Sequence, residues 1–471
     1  VSDISGYHAL VEGKRVAFEP HGLTRWRALP DSLFPHQSHG VEFALRAGCA
    51  ALFYDTGLGK TAMSQVWGER VVEATNGAVL MLAPLAVGHQ HAAEAARLGI
   101  EARVVRSQAE VRGAGLWITN YDRLAHFDPS LFAGVILDES SILKSFTGAT
   151  QRALTSAFAR TPYRLAASAT PAPNDHTELG QHSNYLGVMA ANEMLSRWFI
   201  ADQTQMGRYR LKRPAVRAFW EWVASWARCV SKPSDLGFSD EGFVLPPLAI
   251  EQIIVAADLS VAAGEERDGQ ARLFRIPEVS ATSIHFEKRL SLAARADALI
   301  ARVVAEPDEA WALWCETNEE ADALMARLPH GVGVEVRGSQ SPDEKEEKLA
   351  AFTTGAARFI VTKPSIAGFG LNWQHCARTG FVGLSFSYEM FYQALRRFYR
   401  FGQKRPVRAL VAGSEAEKAI FDTLARKSGD HETMKAEMAA AMARVARSSR
   451  VYEPYDPRVP LELPEWVRSA A

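Results

Sequence analysis

The run ALFYDTGLGKT, residues 50–61, constrains this chain more than any other part of it. An apolar strand-like stretch, Ala50–Phe53, feeds a glycine-rich turn that opens a helix-like segment. In that arrangement backbone N–H groups wrap phosphate oxygens. Thr56, Gly57, Leu58 and Gly59 form the turn, and the glycines permit close approach. Lys60 is the residue for the β and γ phosphates and Thr61 the residue for Mg²⁺, so the expected ligands are ATP and Mg²⁺. The strict pattern has glycine where this chain has Tyr54. Read alone, the run also fits a glycine turn with a solvated lysine.

A phosphate-binding turn of this kind needs a parallel sheet behind it, and the chain has the material for two. Ala78–Pro84, Gly134–Ser140, Ala357–Ser365 and Val407–Gly413 are apolar, β-branched runs with little alternation, as buried parallel strands require. Helix-like segments such as Asp343–Phe352 and Glu415–Arg426 precede or follow such runs. The alternation predicts an α/β chain of two tandem RecA-like parallel-sheet lobes with a helical insertion between them. The divisions read as an N-terminal arm over 1–31, an ATP-binding lobe over 32–175, the insertion over 176–244, a second lobe over 245–447 and an extended tail over 448–471. The insertion is rich in Trp and Arg and shows no strand-like run. Its Phe219, Trp222, Val223 and Trp226 fall on one helical face, which reads as core rather than as a base-stacking platform.

Two further motifs belong with the first lobe. Asp138 and Glu139 end the run GVILDESS, where one carboxylate can hold Mg²⁺ and the other can polarise the attacking water. Ser168 and Thr170, in AASATP, offer hydroxyls to that acidic loop. In the second lobe, FYQALRRFYRFGQ puts Gln393, Arg397 and Arg400 on one face if it is helical throughout. Two arginines so presented can neutralise charge developing on a γ-phosphate; a solvated basic helix is the plainer alternative.

The ordered series LFPHQ, DTGLGKT, DESS, SAT, GFGLN and QALRRFYRFGQ resembles helicase superfamily 2, and its last motif is most similar to Swi/Snf-type double-stranded DNA translocases. DESS, the LPPL segment at Leu245–Leu248 and the compact length resemble prokaryotic or phage-encoded members. The resemblance implies that Gln37 contacts adenine, that Gly370 senses nucleotide, that Asp138 and Glu139 serve Mg²⁺ and water, and that Arg397 and Arg400 act as arginine fingers. It implies a nucleic-acid track, double-stranded DNA above all, facing Pro84, Thr119, Gly338 with Ser339, and Thr362. The basic run Arg208, Arg210, Lys212, Arg213 and Arg217 is a further candidate for phosphate contacts. Ser141 and Arg396 depart from the family pattern.

Composition excludes little. Lys plus Arg is 53 and Asp plus Glu 54, a balance that a motor with a local basic groove can have. The four cysteines are scattered, which reads as reduced thiols, and His89, His91, His176 and His182 have no companion ligands in the sequence. No apolar run spans a bilayer and residues 1–30 lack a leader pattern. The expectation is a cytoplasmic protein, nucleoid-associated when on DNA, with no membrane partner. The resulting reading is a nucleic-acid-dependent ATPase that tracks along duplex DNA. Its rivals are a strand-separating DNA or RNA helicase, a catalytically silent scaffold, and the motor of an assembly with a separate nuclease or methyltransferase.

Overall fold

The structure, a computed structural model, describes residues 20–446 apart from 85–86, 145–147, 173–174, 203–208, 257–286, 368–370 and 386. Of these residues, those up to Ser239 and those from Met434 form one compact unit, and Asp240–Thr433 form a second.

The first unit is built on β1 (Cys49–Tyr54), β2 (Ala78–Ala83), β3 (Ala102–Val104), β4 (Gly115–Asn120), β5 (Phe132–Asp138) and β6 (Tyr163–Ala167). A short antiparallel pair, β7 (Phe199–Ala201) and β8 (Tyr209–Leu211), precedes β9 (Ala227–Val230). The sheet runs β3-β4-β2-β5-β6-β1-β9, every neighbouring pair parallel. All residues of β1 and β2 are buried, which is why these runs show no alternation. Helices α1 (Pro35–Ala47), α2 (Lys60–Thr75) and α3 (Gly88–Arg97) accompany the first strands. After β1 the chain crosses to β2, three positions away, and β5 and β6 later fill the gap. The C-terminal ends of β1, β6 and β5, distant in sequence, are thereby neighbours on one sheet edge.

The second unit holds β10 (Leu248–Val255), β11 (Trp311–Trp314), β12 (Gly333–Val336), β13 (Phe359–Thr362), β14 (Arg378–Phe381) and β15 (Val407–Ser414). Their order is β10-β15-β14-β11-β13-β12, again parallel. The helix expected over Asp343–Phe352 forms as Pro342–Thr353, with Ser341 capping the N–H of Glu344 in a capping box. Trp373 is fully buried against Trp314, Phe352 and Phe398, and its indole N–H donates to Thr353 Oγ1 at 3.1 Å. The two tandem RecA-like lobes expected from the strand–helix alternation are what the chain forms.

Residues 176–239 add helices Leu179–Leu186 and Ala191–Trp198 and α4 (Val216–Trp226). The apolar face of α4 is buried as its spacing predicts, with Trp222 tilted against Trp198 at 4.6 Å and Trp226 set edge-on to Phe53 at 6.0 Å. Strand β9 was not legible there. Its four residues follow α4 directly and contain Arg228, whose guanidinium is buried over the Phe43 ring and donates to the carbonyls of Ala224 and Ala227. A charged residue inside a short run hides a strand that neighbouring carbonyls make tolerable. Helix α6 (Lys418–Ala446) starts in the second unit, and from Met434 its residues belong to the first. Among the described residues no helix is long and apolar enough to cross a membrane, and the four cysteines are buried and free.

Trp222→Ala should destabilise the first unit by about 3–5 kcal/mol, the usual cost of deleting a large buried aromatic. Urea unfolding followed by circular dichroism measures this; a midpoint matching wild type would mean that the indole cluster contributes little.

Candidate active site

The turn between β1 and α2 is built on glycine at 57 and 59. Gly57 and Gly59 have φ of +88° and +85°, the left-handed region that suits glycine. A Cβ at Gly59 would also collide with the side-chain amide of Gln37. Helix α2 begins at Lys60 with no side-chain cap and no acidic residue in its first turn, so that turn itself brings no carboxylate to the helix dipole. Thr56 Oγ1 is buried and makes no hydrogen bond among the described residues. Lys60 is nearly buried and donates to the carbonyls of Tyr54 at 2.8 Å and Asp55 at 3.4 Å. These features fit a triphosphate: glycines at 57 and 59, an uncapped helix start, a buried hydroxyl and a lysine held by its own loop carbonyls.

Tyr54, the departure from the strict pattern, has a structural account. It is the last residue of β1, fully buried, and its hydroxyl donates to the carbonyl of His36 at 3.1 Å. Gly40 makes room for it, since a Cβ there would stand 2.6 Å from the phenol oxygen. Burial raises the phenol pKa, so the group stays a neutral donor. Gln37 is the third residue of α1; its Oε1 accepts from Phe34 N at 3.0 Å and its Nε2 donates to Leu58 O at 3.1 Å. Both ends of the glutamine are thus engaged by backbone, and it ties α1 to the turn. Asp55 Oδ1 accepts from Thr56 N at 2.6 Å, and Asp55 Oδ2 pairs with Lys435 of α6 at 3.1 Å. No sequence pattern points to Lys435.

Asp138 closes β5 and is buried; β6 separates β5 from β1, so the acid lies two strand spacings, roughly 10 Å, from the end of β1. Its carbonyl accepts from the Tyr121 hydroxyl at 2.6 Å, and its Oδ2 lies 2.8 Å from His91 Nε2. His91 is on α3 and buried; desolvation disfavours its cation, but the Asp138 carboxylate outweighs this and the net shift is upward. Glu139 has φ of +56°, and Asn76, a helix C-cap, is the other non-glycine residue of positive φ among those described. Ser140 Oγ and His182 Nε2 share a hydrogen bond at 3.1 Å, and His182 also stands edge-on to Phe53 of β1. Burial holds His182 neutral, with its pKa down at about 4. Both histidines looked uninvolved in the sequence, because their partners are far away along the chain. Ser168 and Thr170 are fully buried just past β6; Ser168 N donates to Leu52 O at 3.2 Å, and Ser168 Oγ accepts from Thr170 N at 3.1 Å. Among the described residues no group of three or more His, Cys, Asp or Glu side chains could by itself hold a metal. Mg²⁺ at a nucleotide does not need one, since phosphate oxygens and water complete its shell; Thr61 and Asp138 are the side chains that would hold it.

In the second unit, the arginine motif is not one helix. Helix α5 (Tyr388–Leu395) stops before Arg396, and N–H groups of Arg397 and Phe398 bond three residues back, to Ala394 and Leu395. Phe398 turns into the core against Trp373, and that burial ends the regular helix. Arg397 and Arg400 nevertheless converge: each donates Nη1 to Leu371 O, at 3.0 and 3.2 Å, and Arg397 Nη2 also donates to Gln393 Oε1 at 3.3 Å. Gly370, with Gly368 and Phe369, lies outside the described residues. Of the residues expected to face nucleic acid, Pro84 is half-buried and Ser339 exposed, whereas Thr119 and Thr362 are buried. The Thr362 hydroxyl donates to Val336 O at 3.2 Å. Arg210, Arg213 and Arg217 are exposed, Arg217 in an ion pair with Glu221, while Arg208 lies outside the described residues.

No family model matches the chain, and no curated protein does. Among solved structures it is similar to a Sulfolobus solfataricus SWI2/SNF2 ATPase core in complex with dsDNA, at 17% identity over 91% of this chain and 97% of that one, with a TM-score of 0.41.

A left-handed conformation costs a residue with a Cβ about 1–2 kcal/mol. Glu139→Gly should therefore be more stable than Glu139→Ala by about 1 kcal/mol, although glycine is ordinarily the more costly residue to order. Thermal melts of the two variants test this; alanine melting higher would mean that position 139 relaxes when its carboxylate is removed.

Proposed function

We propose that this chain is a nucleic-acid-dependent ATPase that tracks along duplex DNA. The observation that supports it most is the single sheet edge of the first unit, where the phosphate turn, the SAT loop and Asp138–Glu139 follow neighbouring strands. Ligands of open parallel sheets bind at such an edge.

On this reading the backbone of residues 56–59 and the start of α2 take the β and γ phosphates of ATP, and Lys60 leaves its own loop carbonyls to pair with them. Mg²⁺, held by Thr61 and Asp138, would supply neutralisation of charge on the phosphate oxygens. Glu139 orients the attacking water and accepts its proton. By the resemblance of their motif, Arg397 and Arg400 are the residues that would neutralise negative charge developing on a phosphoryl group. Their common bond to Leu371 O supports a joint action, because one carbonyl pre-positions both guanidinium groups. The preference for duplex DNA comes from the QALRRFYRFGQ form, and grip on the phosphate backbone gives motion without base readout.

Lys60→Ala should lose both ATP binding and turnover, whereas Glu139→Gln should bind ATP without hydrolysing it. Arg400→Ala should cut kcat by roughly 10³, as removal of other arginine fingers does. Steady-state ATPase assays with no nucleic acid, single-stranded DNA, duplex DNA, forked DNA and RNA test the track. The expected result is stimulation by duplex DNA that falls steeply with salt, together with ATP-dependent displacement of a triplex third strand. Stimulation by RNA alone, or unwinding without triplex displacement, would replace translocation by strand separation. Normal turnover by Lys60→Ala would remove the ATPase assignment altogether.

A further inference from the structure

We propose that His91 is a positioning residue for Asp138, holding one oxygen of its carboxylate so that the other is presented to the metal of bound nucleotide. The proposal rests on the ATPase reading above and deepens it. His91 belongs to none of the motifs that carry that reading, yet two bonds tie it to their elements. Its ring nitrogen Nε2 lies 2.8 Å from Asp138 Oδ2, and its backbone carbonyl accepts from Gln65 Nε2 at 2.7 Å. Gln65 is fully buried in α2, the helix that begins at Lys60. One residue therefore links the phosphate-turn helix to the acid at the end of β5, through its main chain on one side and its side chain on the other.

The arrangement suits orientation. A carboxylate at a strand end keeps freedom about two side-chain torsions, and the Tyr121 hydroxyl restrains only the backbone carbonyl of Asp138. A buried imidazole N–H on Oδ2 restrains the carboxylate itself. Glu94 Oε2 lies 4.0 Å from the opposite ring nitrogen, one turn further along α3, so the imidazole stands between two acids. Partners of metal-binding carboxylates set ligand orientation in this way, and losing one commonly costs about 10- to 100-fold in metal affinity or activity.

The test compares the full chain with His91→Gln, which keeps an N–H donor, and with His91→Ala and His91→Phe, which do not. Phenylalanine fills the ring volume and serves if the alanine variant fails to fold. Two readouts are taken: Mn²⁺ affinity in the presence of ATPγS, by electron paramagnetic resonance, and kcat and KM for ATP. His91→Ala or His91→Phe should weaken Mn²⁺ binding and lower kcat, each by about 10-fold or more. Nucleotide binding in EDTA should be little changed, and His91→Gln should recover most of both losses. Folded donor-less variants with wild-type Mn²⁺ affinity and kcat would overturn the proposal, as would a glutamine variant no better than alanine. In either case an active wild type leaves the ATPase reading standing. A wild-type chain that neither hydrolyses ATP nor binds Mn²⁺ with nucleotide would overturn that reading and this one together.

Discussion

A parallel strand can be followed by another only after a crossover that returns the chain to the same starting edge. Everything at the site follows from that constraint. Because all strands of the first sheet point one way, every strand exit lies on one edge, and the order β5-β6-β1 decides which exits are neighbours. The long crossover from β1 to β2 leaves the two places that β6 and β5 later occupy. A turn that can cradle phosphate, a hydroxyl pair and a carboxylate pair then share an edge without any of them being close in sequence. Loops on that edge are free to specialise because the buried strands beneath them carry the packing.

Much of this was legible. Continuous apolar runs marked β2, β5, β13 and β15 because both faces of those strands are covered, and the glycine spacing marked the turn before α2. The helical face of α4 was equally plain, since four apolar residues at helical spacing leave little choice. What escaped was contact at long range or structure set by tertiary packing. Strand β9 was hidden by Arg228, whose buried charge is met by the carbonyls of Ala224 and Ala227 and by the Phe43 ring. The early end of α5 was hidden because QALRRFYR is a good helical sequence; burial of Phe398 overrides the local preference.

The same distinction separates the candidate residues from their partners. Lys60, Asp138 and Glu139 were legible as candidates because each stands in a local motif. His91, His182 and Lys435 were not, because each meets its partner across the unit: His91 with Asp138, His182 with Ser140, and Lys435 with Asp55. Periodicity carries no trace of such pairs. Arg397 and Arg400 fall between these cases. One continuous helical face does not exist there, and the carbonyl of Leu371 brings them together instead.

Gln37 and Gly59 have a consequence for how this chain can change. The amide of Gln37 occupies the space where any side chain at 59 would begin, and the same amide donates to Leu58 O within the turn. A larger residue at 59 is strained by its left-handed backbone and must also push the Gln37 amide aside. That displacement, or a shorter residue at 37, breaks the bond to Leu58 O and releases the turn from α1. Position 59 therefore answers for the brace on the turn as well as for its conformation.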